Sequence, residues 1–323
     1  MTNNMKRHLL TLYTRTPLHV GSGTSVDVVD LPIMRERITG FPIIPSTSLK
    51  GVLRQWTRDA YKPDGSLLMS ADEGRTLFGE DRKPDEKAGI AAYAGCVQIM
   101  EAKLLAFPVR SLAGCFAWLT CPAALERFQR DTGLLKHADG KPLPLPQPAK
   151  DKAVVGAELM VNGQVVLEEY ALALERELKP KTDDRKLLEK LASLSSDPLW
   201  TGKLSTRLAV VHDENFQHFV TTCTEVVARI KVDPASRTVD GGALFNQENV
   251  PCEALFYSVL TVLPPRRDTG EKAPPAALAA ANAKLCELLP EGTDPDKQPP
   301  ILQIGGDETT GHGLCETKRE ELP

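Results

Sequence analysis

The sequence lacks any apolar run long enough to cross a bilayer, and it opens with the polar stretch Met1–His8 rather than a signal-like segment. It also lacks Cys-x-x-Cys pairs, since its 7 cysteines are scattered and odd in number. These absences argue against a membrane-spanning protein, a zinc site and a disulfide framework. We therefore expect a cytoplasmic protein whose cysteines stay reduced.

An excess of positive charge is missing as well. Asp and Glu number 43 against 39 Lys and Arg, which gives a formal net charge of −4. Domains that bind nucleic acid are usually basic, so this balance argues mildly against a generic nucleic-acid binder. A local cationic stripe on an acidic surface can still follow a phosphate backbone. The stripe therefore has to be found in particular segments.

One such stripe lies on a helix predicted from about Ser48 to Tyr61. Its apolar residues share one face at helical spacing: Leu49, Val52, Leu53, Trp56 and Ala60. Lys50 and Arg54 are four residues apart on another face, where they suit a phosphate backbone. A merely solvated helix face is the alternative for this pair.

The chain of 323 residues is long enough for about two domains, or for one domain with insertions. Strands are predicted at Leu9–Thr14, Gly95–Ala106, Gly114–Thr120, Leu208–Val211, Val226–Val232, Leu255–Leu263, Ile301–Ile304 and Leu314–Thr317. Further helices are predicted at Pro122–Asp131, Asp184–Leu194, Asp213–Thr222 and Ala276–Leu289. Asn162-Gly163 predicts a hairpin between residues 158–161 and 164–168. This mixture without regular alternation is typical of an α+β fold.

The loop after the first strand carries His19, the bend Gly21-Ser22-Gly23, Asp27 and Asp30. Asp30 lies in an apolar run, where burying a carboxylate without a partner would be costly. It either caps a turn before proline or belongs to a functional site. His19 either shapes the glycine bend by hydrogen bonding or acts as a general acid or base. Asp27 either joins such a site or is solvated.

A second glycine-rich segment, Gly305-Gly306 to Gly311-His312-Gly313, lies near the C-terminus. It lacks the Gly-Lys-Ser/Thr ending of an ATP-binding P-loop, and it lies between strands rather than opening a helix. A structural tight turn is one interpretation, and an RNA-facing loop is the other.

Taken together, these segments resemble the RAMP superfamily, and specifically the repeated backbone subunit of the type III-B (Cmr) CRISPR RNA-guided effector complex. The resemblance rests on residues 29–36, 48–54, 105–112, 126–131, 227–230 and 302–313. It implies a ferredoxin-like (RRM-like) palm formed by residues 1–323, with insertions at about 61–91 and 141–205. It further implies a thumb-like β-hairpin loop at about 233–251.

The resemblance implies an endoribonuclease that holds CRISPR RNA by its phosphates and cleaves paired single-stranded target RNA at regular intervals. The expected chemistry is attack by the RNA's own 2′-hydroxyl with a divalent metal, Mg²⁺ or Mn²⁺. Copies of the subunit would stack in a helix beside other type III-B subunits. A non-catalytic scaffold of the same complex and a metal-independent, His19-based CRISPR RNA-processing endoribonuclease are the alternatives.

The resemblance also implies site residues. Asp30 matches the family's cleavage acid and would either be the metal ligand or help to remove the 2′-proton. His19 and Glu248 would be further catalytic residues, with Glu248 on a loop whose neighbouring residues diverge. The implied RNA contacts are Lys50, Arg54, Arg110, Ser111, Gly305, Gly306, Gly311, His312 and Gly313. His312 stands where a basic residue is common in relatives.

Overall fold

The computed structural model describes residues 5–24, 29–62, 64–79, 94–180, 184–232, 239–265, 275–292 and 299–323. Over these residues the strands are β1 (Lys6–Thr14), β2 (Ile43–Ile44), β3 (Val97–Ile99), β4 (Ala102–Arg110), β5 (Phe116–Thr120), β6 (Lys152–Val155), β7 (Gln164–Leu167), β8 (Tyr170–Glu177), β9 (Leu208–Val211), β10 (Glu225–Val232), β11 (Val239–Asn249), β12 (Leu255–Val262), β13 (Ile301–Gln303) and β14 (Leu314–Leu322). The helices are α1 (Ser46–Asp59), α2 (Ala71–Phe78), α3 (Pro122–Thr132), α4 (Arg185–Ala192), α5 (Pro198–Arg207), α6 (Asp213–Thr222) and α7 (Pro275–Leu288).

Four strands form the centre of the main sheet in the order β14, β1, β12, β4, and each neighbouring pair is antiparallel. Along the chain these elements follow as β1, α1, β4, β12, α7 and β14. This is the split βαββαβ arrangement of a ferredoxin-like palm, in which each helix connects two strands that flank a third. The predicted α+β class and ferredoxin-like palm are confirmed.

The palm is covered on both faces, which explains why β1 reads as a continuous apolar run rather than an alternating one. Leu10 and Leu12 pack with buried residues of α1 and α7, including Leu49 and Leu285. On the other face, Leu9 and Tyr13 pack with buried residues of α3, α4 and α5.

The sheet continues beyond β4 through β5, β9, β6, β8 and β7, with β5 and β9 parallel. Separate from it, β10 and β11 form an antiparallel two-stranded hairpin. This hairpin overlaps the thumb predicted at 233–251 only through β11, and its other strand, β10, is the strand predicted at Val226–Val232. Residues 233–238 lie outside the described part of the chain. Among the described helices, none combines the length and apolarity needed to cross a bilayer.

Two helices differ from the sequence prediction. The supposed exposed insertion at 61–91 contains α2, which buries Leu77 and Phe78 and begins with a capping box formed by Ser70 and Glu73. Helix α5 begins at Pro198, where the Asp197 side chain accepts hydrogen bonds from the backbone. Both starts follow ordinary rules for helix N-termini.

The hairpin predicted at Asn162-Gly163 is largely wrong. Only Val161 and Gln164 form a bridge there, because residues 157–159 make a 3-10 turn instead of a strand. Glu158 holds that turn through Lys203 at 2.8 Å and Arg207 at 2.8 Å. The true hairpin is β7 with β8.

Candidate functional site

Asp30 lies on a short extended segment that runs beside β11 at the base of the hairpin. The backbone N–H of Leu31 donates to the Asn246 carbonyl at 3.0 Å, and the Glu248 N–H donates to the Leu31 carbonyl at 3.0 Å. The Asn246 N–H donates to Oδ2 of Asp30 at 2.8 Å. Asp30 is exposed, and its Oδ1 has no partner among the described residues. The carboxylate is thus fixed by one oxygen and open at the other.

Glu248 is buried, with 6% of its surface exposed, directly beneath this segment. Its carboxylate accepts hydrogen bonds from the Ile33 N–H at 3.0 Å and from the Thr224 hydroxyl at 2.8 Å. It also forms an ion pair with Arg35. These contacts make Glu248 the anchor that joins the Asp30 segment to the hairpin. Its direct catalytic role stays a prediction.

His19 is held by the same stretch of β11. Its Nδ1 lies 2.6 Å from the carbonyl oxygen of Glu248. Because a carbonyl only accepts, Nδ1 carries a hydrogen, and the tautomer that fits this bond has its lone pair at Nε2. A Cβ at Gly21 would lie 2.8 Å from Nε2, so the glycine leaves room for this ring edge. His19 therefore has a fixed tautomer whose Nε2 can accept a proton.

The glycine-rich segment closes against the backbone on either side of His19. The Gly306 N–H donates to the His19 carbonyl at 2.9 Å, and the Gly313 N–H donates to the Pro17 carbonyl at 2.8 Å. A Cβ at Gly305 would lie 2.2 Å from the His19 oxygen, and one at Gly313 would lie 2.0 Å from the Ile304 oxygen. Close backbone approach requires glycine at these two positions. The structure thus brings this predicted RNA loop next to His19.

Lys50 and Arg54 line a cavity of about 260 Å³ between α1 and residues 78–79 and 94–95. The opposite side of α1 buries Leu49 and Leu53, as the apolar stripe predicts. Neither cation has an ion-pair partner in the part of the chain that the structure describes. Both ammonium and guanidinium are therefore available to an anionic ligand.

Arg110 is the last residue of β4, and Ser111, which follows it, bridges Leu167 at the end of β7. The Arg110 side chain is 81% exposed and pairs with Glu168 at 2.7 Å. The hydroxyl of Ser111 is buried and has no hydrogen-bond partner among the described residues. Among the described residues, neither Arg110 nor Ser111 forms a hydrogen bond or an ion pair with Asp30 or His19, and their contact with RNA stays a prediction.

The donor set around Asp30 limits what metal it could hold. Asp27 lies outside the described residues, and within them no group of three or more His, Cys, Asp or Glu side chains is arranged for a metal. Mg²⁺ commonly takes only one or two carboxylates and completes its shell with phosphate oxygens and water. The open Oδ1 of Asp30 fits that pattern, with RNA supplying further oxygens.

Arg35 was not among the predicted site residues, although it organises the site. Besides Glu248, its guanidinium donates to the Gly40 carbonyl at 2.8 Å and to the Val220 carbonyl at 2.9 Å. It thereby joins the Asp30 loop, α6 and the hairpin. The available signal was a cation five residues after Asp30 in the same loop, but its partners are distant in sequence.

A family model, the RAMP superfamily, matches residues 11–316 of this chain. The chain is 36% identical over 322 residues to the CRISPR system Cmr endoribonuclease Cmr4 of Pyrococcus furiosus, covering 98% of this chain and 97% of that protein. It is 25% identical over 269 residues to the CRISPR system CMR subunit Cmr4 of Saccharolobus solfataricus, covering 75% of this chain and 80% of that protein.

Solved structures agree with these similarities. Oligomeric Cmr4 from Pyrococcus furiosus superposes with a TM-score of 0.66 at 28% identity, covering 99% of both chains. A chain of the type III-B Cmr-beta complex bound to cognate target RNA gives a TM-score of 0.65 at 20% identity, covering 98% of this chain and 96% of that chain. At that lower identity the second likeness shows the fold alone.

Proposed function

The chain belongs to the RAMP superfamily, and from that membership we propose that it is the RNA-cutting backbone subunit of a type III-B CRISPR effector complex. It is an endoribonuclease that acts on target RNA paired to the complex's guide. The observation that carries the proposal is the exposed Asp30 carboxylate, fixed through Oδ2 to the hairpin and open at Oδ1. A carboxylate that only capped a turn would not need this support from a distant hairpin.

The proposed reaction uses the target RNA as its own nucleophile. The 2′-hydroxyl oxygen forms a bond to the adjacent phosphorus while the bond from phosphorus to the 5′-oxygen breaks. The products are a cyclic phosphate and a 5′-hydroxyl, which takes up a proton. Such a reaction needs in-line geometry and charge neutralisation more than a protein nucleophile.

His19 supports this chemistry from the protein side. The bond from its Nδ1 to the Glu248 carbonyl leaves Nε2 as the acceptor for the 2′-hydroxyl proton. The same β11 stretch holds Asp30 through Asn246. One strand therefore sets the positions of both groups.

Asp30 is the residue that would hold a divalent ion, Mg²⁺ or Mn²⁺. Bound there, such an ion would neutralise the developing charge on the phosphate. Metal dependence is part of the proposal and rests on the carboxylate's open oxygen.

Assembly is the other part of the proposal. Copies of the subunit stack along one CRISPR RNA in the cytoplasm, beside other type III-B subunits, and each copy cuts once, so that products differ by a regular interval. Lys50 and Arg54 hold the guide through phosphates, since base pairing supplies the sequence specificity. A relative's oligomeric crystal form supports the stacking.

The test uses the assembly reconstituted with guide RNA, partner subunits and labelled target RNA. Wild-type protein should give a ladder of evenly spaced products with Mg²⁺ and none with excess chelator. Asp30→Ala should bind target with wild-type affinity and give no ladder. Size-exclusion chromatography with absorbance at two wavelengths, before and after ribonuclease, reports the RNA-bearing stack.

Three results would contradict parts of this proposal. A normal ladder from Asp30→Ala would remove the residue from catalysis and favour the scaffold role. Cutting that continues in chelator, and on the guide precursor rather than the target, would favour RNA processing by His19. A nucleic-acid-free monomer that ignores guide and partners would overturn the backbone role.

A further inference from the structure

The glycine-rich loop and the hairpin meet through side chains that have no part in the chemistry above. Asp307, in the loop, accepts a hydrogen bond at Oδ2 from Nε2 of Gln247 on β11, at 2.5 Å. The same oxygen pairs with Nη2 of Arg229 on β10, at 3.0 Å. One carboxylate oxygen thus joins both strands of the hairpin to the loop that lies against His19.

Asp307 also organises its own loop. Its backbone carbonyl accepts hydrogen bonds from the Thr310 N–H at 3.0 Å, the Thr310 hydroxyl at 2.9 Å and the His312 N–H at 3.3 Å. Its φ is +63°, in the left-handed region that non-glycine residues adopt at a cost of order 1 kcal/mol or more. These backbone hydrogen bonds hold Asp307 in one conformation, in which its side chain points toward the hairpin.

The hairpin side of this contact is equally constrained. Gln247 is 2% exposed, and its Nε2 also donates to Oδ1 of Asn249 at 3.1 Å. Arg229 lies 3.5 Å from Nε2 of His312, measured from its Nη2. The two faces of the contact are therefore built from buried or half-buried groups rather than from solvated surface side chains.

The position of this contact gives it a role. The base of the hairpin is attached to the palm through Leu18 and Val250, and the glycine loop is attached through His19. The bonds of Asp307 are a third connection, which joins the hairpin directly to the loop. We propose that Arg229 and Asp307 form a latch that fixes the position of the hairpin relative to the glycine-rich loop, beside Asp30 and His19.

The latch rests on the proposed cleavage function, and both residues act in it as positioning residues. Opening the latch leaves the backbone bonds at Asp30 in place but releases β10 from the loop, which among the described residues is then held to β11 by Gln247 alone. Loss of in-line geometry by about 1 Å can cost on the order of a hundredfold in rate. The latch therefore predicts a loss in the cleavage step rather than in RNA affinity.

The experiment is a double-mutant cycle in the reconstituted assembly, with Arg229→Ala, Asp307→Asn and the double variant. Asn tolerates the left-handed backbone, so Asp307→Asn removes the charge while keeping the turn. Each single variant should lose about tenfold to a hundredfold in the single-turnover cleavage rate at saturating target. The double variant should cut no more slowly than the more impaired single variant, because either change opens the same latch.

Further readouts separate the latch from simpler roles. Target affinity and its salt dependence should match wild type in all three variants, and Arg229→Lys should recover much of the rate. The pair Arg185 and Glu189 on α4, exposed and 2.7 Å apart, supplies the control variants Arg185→Ala and Glu189→Gln. These should cut at the wild-type rate.

A lower affinity and a shallower salt slope in Arg229→Ala alone, with wild-type cutting by Asp307→Asn, would overturn the latch and make Arg229 an RNA contact. Additive losses in the double variant would also overturn it. If the latch variants cut normally while Asp30→Ala does not, the latch falls and the cleavage proposal stands. An inactive wild-type assembly would overturn both.

Discussion

The guanidinium of Arg35 pairs with the carboxylate of Glu248 across the junction between the Asp30 loop and the hairpin. Both side chains are largely buried, and Glu248 keeps two further hydrogen bonds, from Ile33 and Thr224. The pair therefore joins the Asp30 segment to the hairpin.

Arg35→Ala is expected to destabilise the subunit, because it leaves a buried carboxylate without its counterion. Breaking such a pair costs roughly 3–5 kcal/mol, and the remaining bonds to Glu248 place this case near the lower end. Urea unfolding of the isolated subunit measures the change. Arg185→Ala, which removes an exposed cation, should leave the midpoint within error of wild type.

The double variant Lys50→Ala, Arg54→Ala should weaken guide binding to the same extent for guides of unrelated sequence, since phosphate contacts carry no base information. Each lost contact should lower the slope of log affinity against log salt by about 0.7, or about 1.4 for the pair. Filter binding over a salt series gives the slope. Arg185→Ala with Lys186→Ala is the matched control, and an unchanged slope in the test variant would indicate a merely solvated helix face.

Gly305→Ala should be far more disruptive than Gly311→Ala, although both glycines have positive φ, +84° and +79°. At Gly311 a Cβ meets nothing within 4 Å, so only backbone strain of about 1–2 kcal/mol is expected. At Gly305 the Cβ would lie 2.2 Å from the His19 carbonyl and would displace it. Thermal melting compares the two variants. Equal losses of melting temperature would contradict the close approach of Gly305 to the His19 carbonyl.

The free energy of unfolding should fall as pH drops below about 6.5, the ordinary pKa of histidine, because of His8. Burial lowers the pKa of His8 in the folded state. Its Nδ1 accepts from Arg319 at 2.9 Å, so its Nε2–H must donate to Asn282 at 2.7 Å, and the ring is neutral. The unfolded chain then binds the proton more readily, and stability is lost between that pH and the lower folded pKa, by at most about 1.4 kcal/mol per pH unit.

Urea titrations between pH 7.5 and 5.5 measure this dependence. His8→Gln lacks the titrating group and should show a shallower fall over the same range. Since carboxylates with lowered pKa values also lose stability in acid, the difference between the two proteins is the quantity to compare. Parallel curves would mean that His8 does not contribute.

The elements of the palm could be predicted because their signals are local. The apolar stripe on α1 and the continuous run in β1 follow from periodicity and burial alone. Helix α2 also had a local signal, the capping box of Ser70 and Glu73, but it is masked by surrounding Gly, Pro and charge. The 3-10 turn at Glu158 had none, because its partners Lys203 and Arg207 come from α5.

The candidate site likewise has some features with a local sequence signal and others without one. Asp30, His19 and the glycine loop are singled out by the resemblance of their own segments to the family, and the structure brings His19 and the loop into direct contact. The ties of Asp30 to Asn246 and of Arg35 to Glu248 join residues more than 200 positions apart, and no local rule specifies them. Such contacts depend on how the palm and the hairpin are placed in three dimensions.

The central position of β1 also affects how the protein is made. Both strands that flank it, β12 and β14, come from the last third of the chain. At ordinary rates of translation, β1 leaves the ribosome on the order of tens of seconds before either neighbour exists. Throughout that time an apolar segment has two unpaired edges, which is the condition that favours pairing with foreign strands. Nascent chains of this subunit should therefore depend on chaperones until the final strand has been synthesised.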